Sequence, residues 1–223
     1  MSDPRLDEAY VHCDALAREQ DRDRWIATLF APQPLRRHLH ALIAFACEIQ
    51  RIRRAVKDPH AGEMRLVWWL EAIDGERAAE AQANPVAAAM LATIAERGLR
   101  KDRFEAWLLA WRDDLYEKLN DDEARGRALL APLYAFSARA LGGEAELAAV
   151  AAGEAEALLA AGRYGDALAR MVEAERVLGE AVGEFAPAFG VLGAQHLDAR
   201  RGSRGPAPAW RRQVAIWWWG RGR

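Results

Sequence analysis

Apolar residues recur every three or four positions across residues 41–56, ALIAFACEIQRIRRAV. This spacing places them on one face of a helix, and we expect that face to be buried. The members of the apolar face are Leu42, Phe45, Ile49, Ile52 and Val56. The opposite face carries Cys47, Gln50, Arg51 and Arg54. That polar face is either solvated surface or the wall of a site, and the helical period alone does not distinguish the two.

Similar stripes follow one another along most of the chain and predict a protein built from helices. Proline, glycine and asparagine interrupt them where helices usually begin or end. The predicted helical segments are 4–30 (a helix pair), 35–57, 64–81, 85–97, 102–115, 124–141, 144–161, 166–199 and 209–220. Between them we expect a loop at HAGE (60–63) and a solvated face or turn at the charged run EQDRDR (19–24). No alternating β pattern is visible, so the predicted fold is all-α: a single-domain bundle of about eight helices.

Charge divides the chain into an acidic body and a basic tail. The net charge is −2, but seven of the 31 basic residues follow Asp198, where no acidic residue occurs. We therefore expect a helical domain over 1–200 and, over 201–223, a linker with a terminal helix, AWRRQVAIWWWG. A basic tail on an acidic body indicates an anionic partner.

Arginine and tryptophan in the tail are typical of a helix that lies on a membrane surface. The candidate membrane contacts are Trp210, Arg211, Arg212, Trp217 and Trp218. The alternative, equally open from the sequence, is a helix folded back on the bundle with its tryptophans in a groove. Nucleic acid is not expected as a partner, because basic and aromatic residues confined to one short tail are a poor footprint for it.

Composition indicates a folded protein kept in a reducing compartment. Of the 223 residues, 52% are hydrophobic and 29% are charged, which allows a buried core. Cys13 and Cys47 have no metal-binding or redox spacing and are expected to be reduced thiols. The first twenty residues do not resemble a signal peptide, and no apolar run is long enough to cross a bilayer. We expect a cytoplasmic protein, with attachment to the inner membrane left open by the tail.

Common catalytic and metal-binding motifs are missing from the sequence. Five histidines are scattered along the chain, and there is no zinc or haem motif, phosphate loop or nucleophile signature. Asp113, Asp114 and Glu117 in the string DDLYE have the spacing of a magnesium-binding helix face. A solvated helix end produces the same string, and we take that interpretation. No catalytic residue and no metal ligand is therefore predicted.

Several segments, taken in order, resemble the squalene/phytoene synthase family. They are DRDRWIATLFAPQPLRRHLHALIAFACEI, EMRLVWWLEAID, NPVAAAM and FEAWLLAWRDDL, and the match extends over residues 21–165. The resemblance implies an isoprenoid synthase bundle around a central cavity. In that family the cavity joins two prenyl diphosphates head to head with Mg²⁺ bound by two aspartate-rich motifs.

Neither aspartate-rich motif is intact in this chain. Alignment on Ala44-Phe45 places the three aspartates of the first motif at Gln50, Arg51 and Arg54. In the second motif the arginine is kept as Arg163, but Tyr164, Ala167 and Leu168 stand where acids are expected. Mg²⁺ requires oxygen ligands and arginine only donates hydrogen bonds, so we expect no Mg²⁺ and no cofactor.

The chain resembles most closely a branch of the family that lacks these aspartates and includes an assembly factor for respiratory complex I. We therefore expect a catalytically disabled protein that acts with a protein partner in assembly, at a membrane surface. A first alternative is prenyl-diphosphate binding, with Gln50, Arg51, Arg54 and Arg163 as candidate diphosphate ligands, or residual head-to-head prenyltransferase activity. A second alternative is a helical scaffold without a pocket.

Overall fold

Helices account for all the regular structure in the part of the chain, residues 3–221, that the computed structural model describes. This confirms the all-α prediction. The first seven helices are α1 (Pro4–Gln20), α2 (Arg22–Thr28), α3 (Gln33–Ala55), α4 (Pro59–Asp74), α5 (Ala78–Ala83), α6 (Pro85–Arg97) and α7 (Lys101–Leu115). The others are α8 (Asp122–Arg125), α9 (Ala131–Ala140), α10 (Glu146–Ala160), α11 (Tyr164–Leu178), α12 (Ala186–Phe189), α13 (Val191–Arg201) and α14 (Ala209–Gly220). A π-helical turn at Gly126–Leu130 joins α8 to α9.

Local sequence explains several of these boundaries. The side chain of Asn84 accepts hydrogen bonds from the backbone amides of Val86 and Ala87, and Pro85 begins α6. Gly98 ends α6 with a positive φ of 61°, a conformation that glycine adopts without steric cost. The predicted bounds of α6 and of α14 are therefore confirmed.

Three local predictions are wrong. HAGE is not a loop but the first turn of α4, because the side chain of Asp58 caps this helix at the amide of His60. The helix predicted over 64–81 ends at Asp74, where Gly75 has a φ of 99°. Helix α7 begins at Lys101, one residue before the predicted segment 102–115. Both α4 and α7 begin before the apolar residues from which the helix was predicted.

The N-terminal part of the core lies between α1, α3, α4, α6 and α7. Four residues of the predicted stripe, Leu42, Phe45, Ile49 and Ile52, are buried on α3, whereas Val56 follows the end of the helix and is partly buried. The ring of Phe45 packs at 4.9 Å from that of Trp69 and at 5.5 Å from that of Trp107. Phe104 and Phe136 stack at 3.8 Å beside them. Aromatic side chains thus fill the space between α3, α4, α7 and α9.

The C-terminal part of the core is built around α10, which packs against α9, α11 and the π-helical turn. Gly126 and Gly153 allow the turn and α10 to meet backbone to backbone. A Cβ atom on Gly153 would lie 2.5 Å from the amide nitrogen of Ala131, and one on Gly126 would lie 2.5 Å from the carbonyl oxygen of Gly153. Any larger residue at either position would force the two segments apart.

The terminal helix α14 packs against α2 and α13. Ile216 and Trp219 are buried in this contact, and Trp219 Nε1 donates a hydrogen bond to Glu175 at 2.8 Å. Gly193 of α13 brings the two helices close, since a Cβ there would lie 2.5 Å from the carbonyl oxygen of Ala215. The last two residues of the predicted tail, 222–223, lie outside the described residues. Within the described part, no helix is both long and apolar enough to span a bilayer.

Candidate functional site

The three residues that replace the first aspartate-rich motif lie at the C-terminal end of α3. Arg51 donates a hydrogen bond to Glu48 at 2.6 Å, and Arg54 donates one to Gln50 at 2.9 Å. Each pair lies within one helical turn, as side chains three or four residues apart do. The side chain of Arg51 is 72% exposed. Both guanidinium groups are thus reachable from solvent, and each has a polar partner on its own helix.

Arg163 precedes α11 and belongs to a different set of contacts. It pairs with Asp166 at 2.7 Å and with Asp122 at 3.6 Å, and among the described residues no ion pair or side-chain hydrogen bond joins it to the polar face of α3. The hydrogen bond that Arg163 donates to Asp166 and the charges of Asp166 and Asp122 raise the pKa of this guanidinium. The structure therefore brings Gln50 and Arg54 together but does not bring Arg163 into direct contact with them.

Arg51 lines an open depression of about 430 Å³ at the junction of α3, α4 and α5. Arg65, Trp68 and Asn84 also line it, whereas Arg54 and Arg163 do not. A second cleft, of about 560 Å³, lies between α7, α9 and α10. The described residues thus form clefts of the size that ligands occupy, which disfavours a scaffold without a pocket.

The string DDLYE does not form one helix face. Helix α7 ends at Leu115, and Glu117 has a positive φ of 56°. Asp114 is buried, and its carboxylate pairs with Arg53 at 3.2 Å and Arg125 at 3.1 Å. The prediction of a solvated helix end is therefore wrong for Asp114, whose two arginine partners occupy its oxygens.

A buried polar network joins four helices that are distant in sequence. Arg24 of α2 forms an ion pair with Glu156 of α10 and donates a hydrogen bond to Tyr134 of α9 at 3.2 Å. Tyr134 donates one to Glu156 at 2.8 Å, and Gln195 of α13 donates one to Glu156 at 3.2 Å. Asp21 binds the other side of the guanidinium at 2.7 Å. Arg24 thus has carboxylates on two sides.

Protonation in this network is fixed by its surroundings. Burial opposes the charge of Arg24, but Glu156, Tyr134 and Asp21 hold its pKa well above the ordinary value. Burial and the charge of Glu156 raise the pKa of Tyr134. Nε of Arg24 and Oε1 of Gln195 are buried without a hydrogen-bond partner. Arg24 is therefore charged and has carboxylates on two sides, and Tyr134 keeps its proton at neutral pH.

A second interior carboxylate is also neutralised by arginine. Glu154, which neighbours Gly153 on α10, forms ion pairs with Arg127 and, at 3.0 Å, with Arg170. Arg170 also pairs with Glu123 at 3.1 Å. Together with Asp114 and Glu156, this gives three interior carboxylates on α7 and α10, each held by arginine.

The buried His38 and the two thiols are uncharged at neutral pH. His38 is buried, and burial lowers its pKa to about 4. Burial raises the pKa of Cys13 and of Cys47 to about 12, so both are thiols rather than thiolates at neutral pH. Within residues 3–221, no cluster of three or more histidine, cysteine, aspartate or glutamate side chains is arranged to hold a metal ion. The expectation that Mg²⁺ does not bind stays a prediction.

The tail presents two different faces. One is packed against the bundle, and here Arg212 forms ion pairs with Asp23 and Asp198. The other face carries four exposed apolar residues, Trp210, Val214, Trp217 and Trp218. Arg211 lies over the ring of Trp210 at 5.1 Å, and Arg221 lies over that of Trp217 at 4.2 Å. Four of the five predicted membrane contacts therefore lie on or beside one exposed face, and Arg212 points to the bundle.

The sequence reasoning missed the buried network because its members look like surface residues. Asp21, Asp23 and Arg24 all belong to the run EQDRDR, which we predicted to be solvated, and all three make partly or fully buried contacts. The only signal was indirect. Trp25 and Thr28 indicate a short helix that packs against the bundle. In such a short helix a charged residue such as Arg24 lies on the same side as the packed residues Ala27 and Thr28.

Comparison with known proteins places these features in a family. The model of the squalene/phytoene synthase family matches residues 17–171, which is more than half of the chain. The matched region contains α2 to α10, including Arg24, the polar face of α3, Asp114 and Glu156.

The curated proteins similar to this chain are named as assembly factors of complex I. NADH dehydrogenase (ubiquinone) complex I, assembly factor 6, from Rattus norvegicus is 26% identical over 124 residues, which cover 56% of this chain and 36% of the rat protein. The Drosophila melanogaster homolog is 30% identical over 96 residues, covering 40% of this chain and 29% of the fly protein. The alignments thus span about a third of the length of these relatives.

Proposed function

This chain belongs to the squalene/phytoene synthase family, and from that membership and the geometry of its interior we propose that it is a catalytically disabled member that assists the assembly of respiratory complex I. The observation that carries the proposal is that Gln50, Arg51 and Arg54 stand on α3 at the positions where the family resemblance places the aspartates of the first motif. The relatives named as complex I assembly factors supply the process.

Electrostatics support the loss of prenyl-transfer chemistry. Ionisation of a prenyl diphosphate with Mg²⁺ needs carboxylate oxygens that face the metal. Arg51 and Arg54 would repel the metal, and the interior carboxylates Asp114, Glu154 and Glu156 already bind arginine. A metal ion would have to displace these ion pairs in a desolvated interior, which is strongly unfavourable.

The exposed face of α14 supports an action at the membrane surface. Three tryptophans and a valine on one side of a helix, flanked by Arg211 and Arg221, have the composition of an interfacial segment. Since the opposite side of α14 is anchored through Arg212, Ile216 and Trp219, a membrane bound by this face would be held against the bundle. The proposed location is peripheral, on an anionic membrane.

The depression beside Arg51 favours one second candidate, a protein that binds a prenyl diphosphate without turning it over. Arg51 and Arg65 supply two positive charges, and Trp68 supplies an apolar wall. Farnesyl diphosphate binding to purified protein in the presence of a chelator tests this candidate. Binding that is unchanged in Arg51→Glu would exclude the depression as the site.

Deletion of the gene in its host tests the main proposal. We expect loss of assembled complex I on native gels and of NADH-driven respiration, with both restored by the wild-type chain. Arg51→Ala with Arg54→Ala should restore them equally well, because no catalytic role is assigned to these residues. Normal complex I in the deletion strain, or head-to-head condensation of farnesyl diphosphate by purified protein with Mg²⁺, would overturn the proposal.

A further inference from the structure

Ser203 is an exposed serine in the short turn that connects α13 to α14. The turn is a single 3₁₀ turn, Gly202–Arg204, closed by a backbone hydrogen bond from the amide of Gly205 to the carbonyl oxygen of Gly202 at 3.2 Å. No hydrogen bond fixes the Ser203 hydroxyl to another described residue. Because so short a turn holds little structure, it can open and enter the active site of a modifying enzyme at small cost.

The other serine and threonine hydroxyls in the described part of the chain are buried. They belong to Ser137, Thr28 and Thr93, each of which is at most 5% exposed. Ser2 lies outside the described residues. Among the described serines and threonines, Ser203 is therefore the one that an enzyme can reach without unfolding the bundle.

Arginines flank Ser203 on both sides. Arg200 and Arg201 lie three and two residues before it, and Arg204 follows it directly. Arg200 and Arg204 are exposed, and no ion pair joins either to another described residue. Arg201 donates a hydrogen bond to the carbonyl oxygen of Gly205 at 3.1 Å rather than to a carboxylate. These guanidinium groups are thus free to pair with acidic groups of an enzyme that binds the turn.

Arginines two and three residues before a serine form the charge pattern that basophilic protein kinases select. Carboxylates beside the peptide-binding groove of such a kinase pair with these arginines and set the register of the acceptor hydroxyl. The catalytic aspartate of the kinase accepts the hydroxyl proton, and the serine Oγ attacks the γ-phosphorus of ATP. The bond from that phosphorus to the oxygen of ADP breaks, so the products are phosphoserine and ADP.

The turn lies at the N-terminal end of α14. The amide of Ala207 donates a hydrogen bond to Asp198 at 2.7 Å, and Gly193, further back on α13, lies against Ala215. The two helices therefore run antiparallel, and the turn that joins them lies at the end of α14 that carries the exposed Trp210. A charge added in the turn is thus added next to the face proposed to bind the membrane.

This end of the molecule carries an excess of positive charge. Residues 199–221 include six arginines and no acidic residue, and among the described residues only Arg212 of the six forms ion pairs. A phosphate group adds about −1.5 to −2 charges at pH 7, which offsets up to two of the remaining five arginines. Since basic residues near an anionic surface strengthen attachment to it, a phosphate in this turn should weaken attachment.

We propose that Ser203 is a phosphorylation site for a protein kinase that recognises arginine two and three residues before serine, and that phosphorylation releases α14 from an anionic membrane. The inference rests on the proposed peripheral location and adds its regulation. The turn receives the phosphate and α14 contacts the membrane, so the two can be altered separately.

Phosphate transfer to the purified full chain tests the site. Cyclic AMP-dependent protein kinase with ATP should add one phosphate, and peptide mass spectrometry should locate it on Ser203. Ser203→Ala should abolish this incorporation. Arg200→Gln should lower kcat/KM for the chain as substrate by about tenfold or more, whereas Arg22→Gln, the same change at an exposed position on α2, should alter it less than about twofold. No incorporation, incorporation only at other residues, or equal effects of the two arginine variants would overturn the proposal.

Flotation with phosphatidylglycerol vesicles tests the release. The phosphorylated chain should bind about tenfold or more weakly than the unmodified chain, and the difference should shrink as salt is raised. Ser203→Asp should weaken binding by about threefold, whereas Ala79→Asp, which adds the same charge at an exposed position on α5, should change it less than about twofold. Circular dichroism establishes that the variants are folded. Equal flotation of the phosphorylated and unmodified chains would overturn the proposal.

Failure of the proposed function gives different results. Unmodified protein that does not float would overturn the peripheral location, and the release with it. Unmodified protein that floats, with attachment unaffected by phosphate, would overturn the release alone. The assembly role is decided by the gene deletion, which depends on neither measurement.

Discussion

Arg24 of α2 and Glu156 of α10, 132 residues apart in the chain, form an ion pair in the interior of the protein. The pair closes the bundle by joining the N-terminal helices to α10. Tyr134 and Gln195 complete its hydrogen bonds from α9 and α13. The arginine and the carboxylate therefore hold distant helices together through mutual neutralisation.

Removal of one member of this pair should be strongly destabilising. Arg24→Ala would leave Glu156 without its arginine in a desolvated site, at a cost of about 3–5 kcal/mol in the free energy of unfolding. Arg22→Ala, an exposed neighbour in the same helix, should cost less than about 0.5 kcal/mol. Urea unfolding measures both. The double variant Arg24→Met, Glu156→Leu should recover part of the loss, and equal effects of the two single variants would contradict this account.

The stability of the protein should fall in mild acid because of His38. Burial lowers its pKa from 6.5 to about 4, so between these values the unfolded chain binds a proton that the folded chain does not. The free energy of unfolding should therefore decrease by about 3 kcal/mol as the pH falls from 6.5 to 4. Burial also lowers the pKa of His40, which acts in the same direction.

Urea unfolding at several pH values between 7 and 4 checks the His38 prediction. His38→Gln should flatten the pH dependence, although it also disturbs the hydrogen bond between His38 and Thr93 at 3.1 Å. His12→Gln, at an exposed position in α1, is the matched control and should leave the slope unchanged. A slope that is identical in wild type and His38→Gln would show that His38 is not responsible.

Local patterns in the sequence predicted most of the helices, because helix boundaries depend on neighbouring residues. Asn84 and Pro85 fix the start of α6 by capping, and Gly98 fixes its end. The error at HAGE has the same origin: Asp58 and Pro59 follow the end of α3, and they also cap and begin α4. The same two residues can therefore end one helix or begin the next, and their sequence alone does not say whether a loop or a helix follows.

The site was less predictable, because charge patterns do not reveal which charges are buried. Arg24 lies in a run of alternating charges that looks solvated, and its partner Glu156 lies in a segment rich in alanine and glutamate. Their pairing depends on the packing of α2 against the C-terminal helices, which no local pattern encodes. The apolar period placed Gln50, Arg51 and Arg54 on a helix, as the structure shows, but neither the period nor the family resemblance indicated the arginines that neutralise Asp114 and Glu154.

Both thiols should react slowly with alkylating agents in the folded protein. At pH 8 a thiol with a pKa near 12 is ionised about a thousandfold less than one with the ordinary value of 9.0. Mass spectrometry after treatment with iodoacetamide should show Cys13 and Cys47 largely unmodified when both react rapidly in guanidinium chloride. Cys47 should react faster than Cys13, since it is partly exposed and Cys13 is buried. Rapid modification of both in the native state would contradict the burial of these groups.

Membrane attachment through α14 should depend on the exposed tryptophans Trp217 and Trp218. Trp217→Ser with Trp218→Ser removes exposed aromatic surface without touching the packed face of Ile216 and Trp219, so partition into anionic vesicles should fall by about tenfold or more. Leu147→Ser with Val172→Ser makes a comparable change at exposed apolar positions on α10 and α11 and should have little effect. Co-flotation with phosphatidylglycerol vesicles measures both. Equal flotation of the two double variants would exclude α14 as the attachment site. Separately, weaker binding of the wild type to uncharged phosphatidylcholine vesicles would show that the flanking arginines contribute.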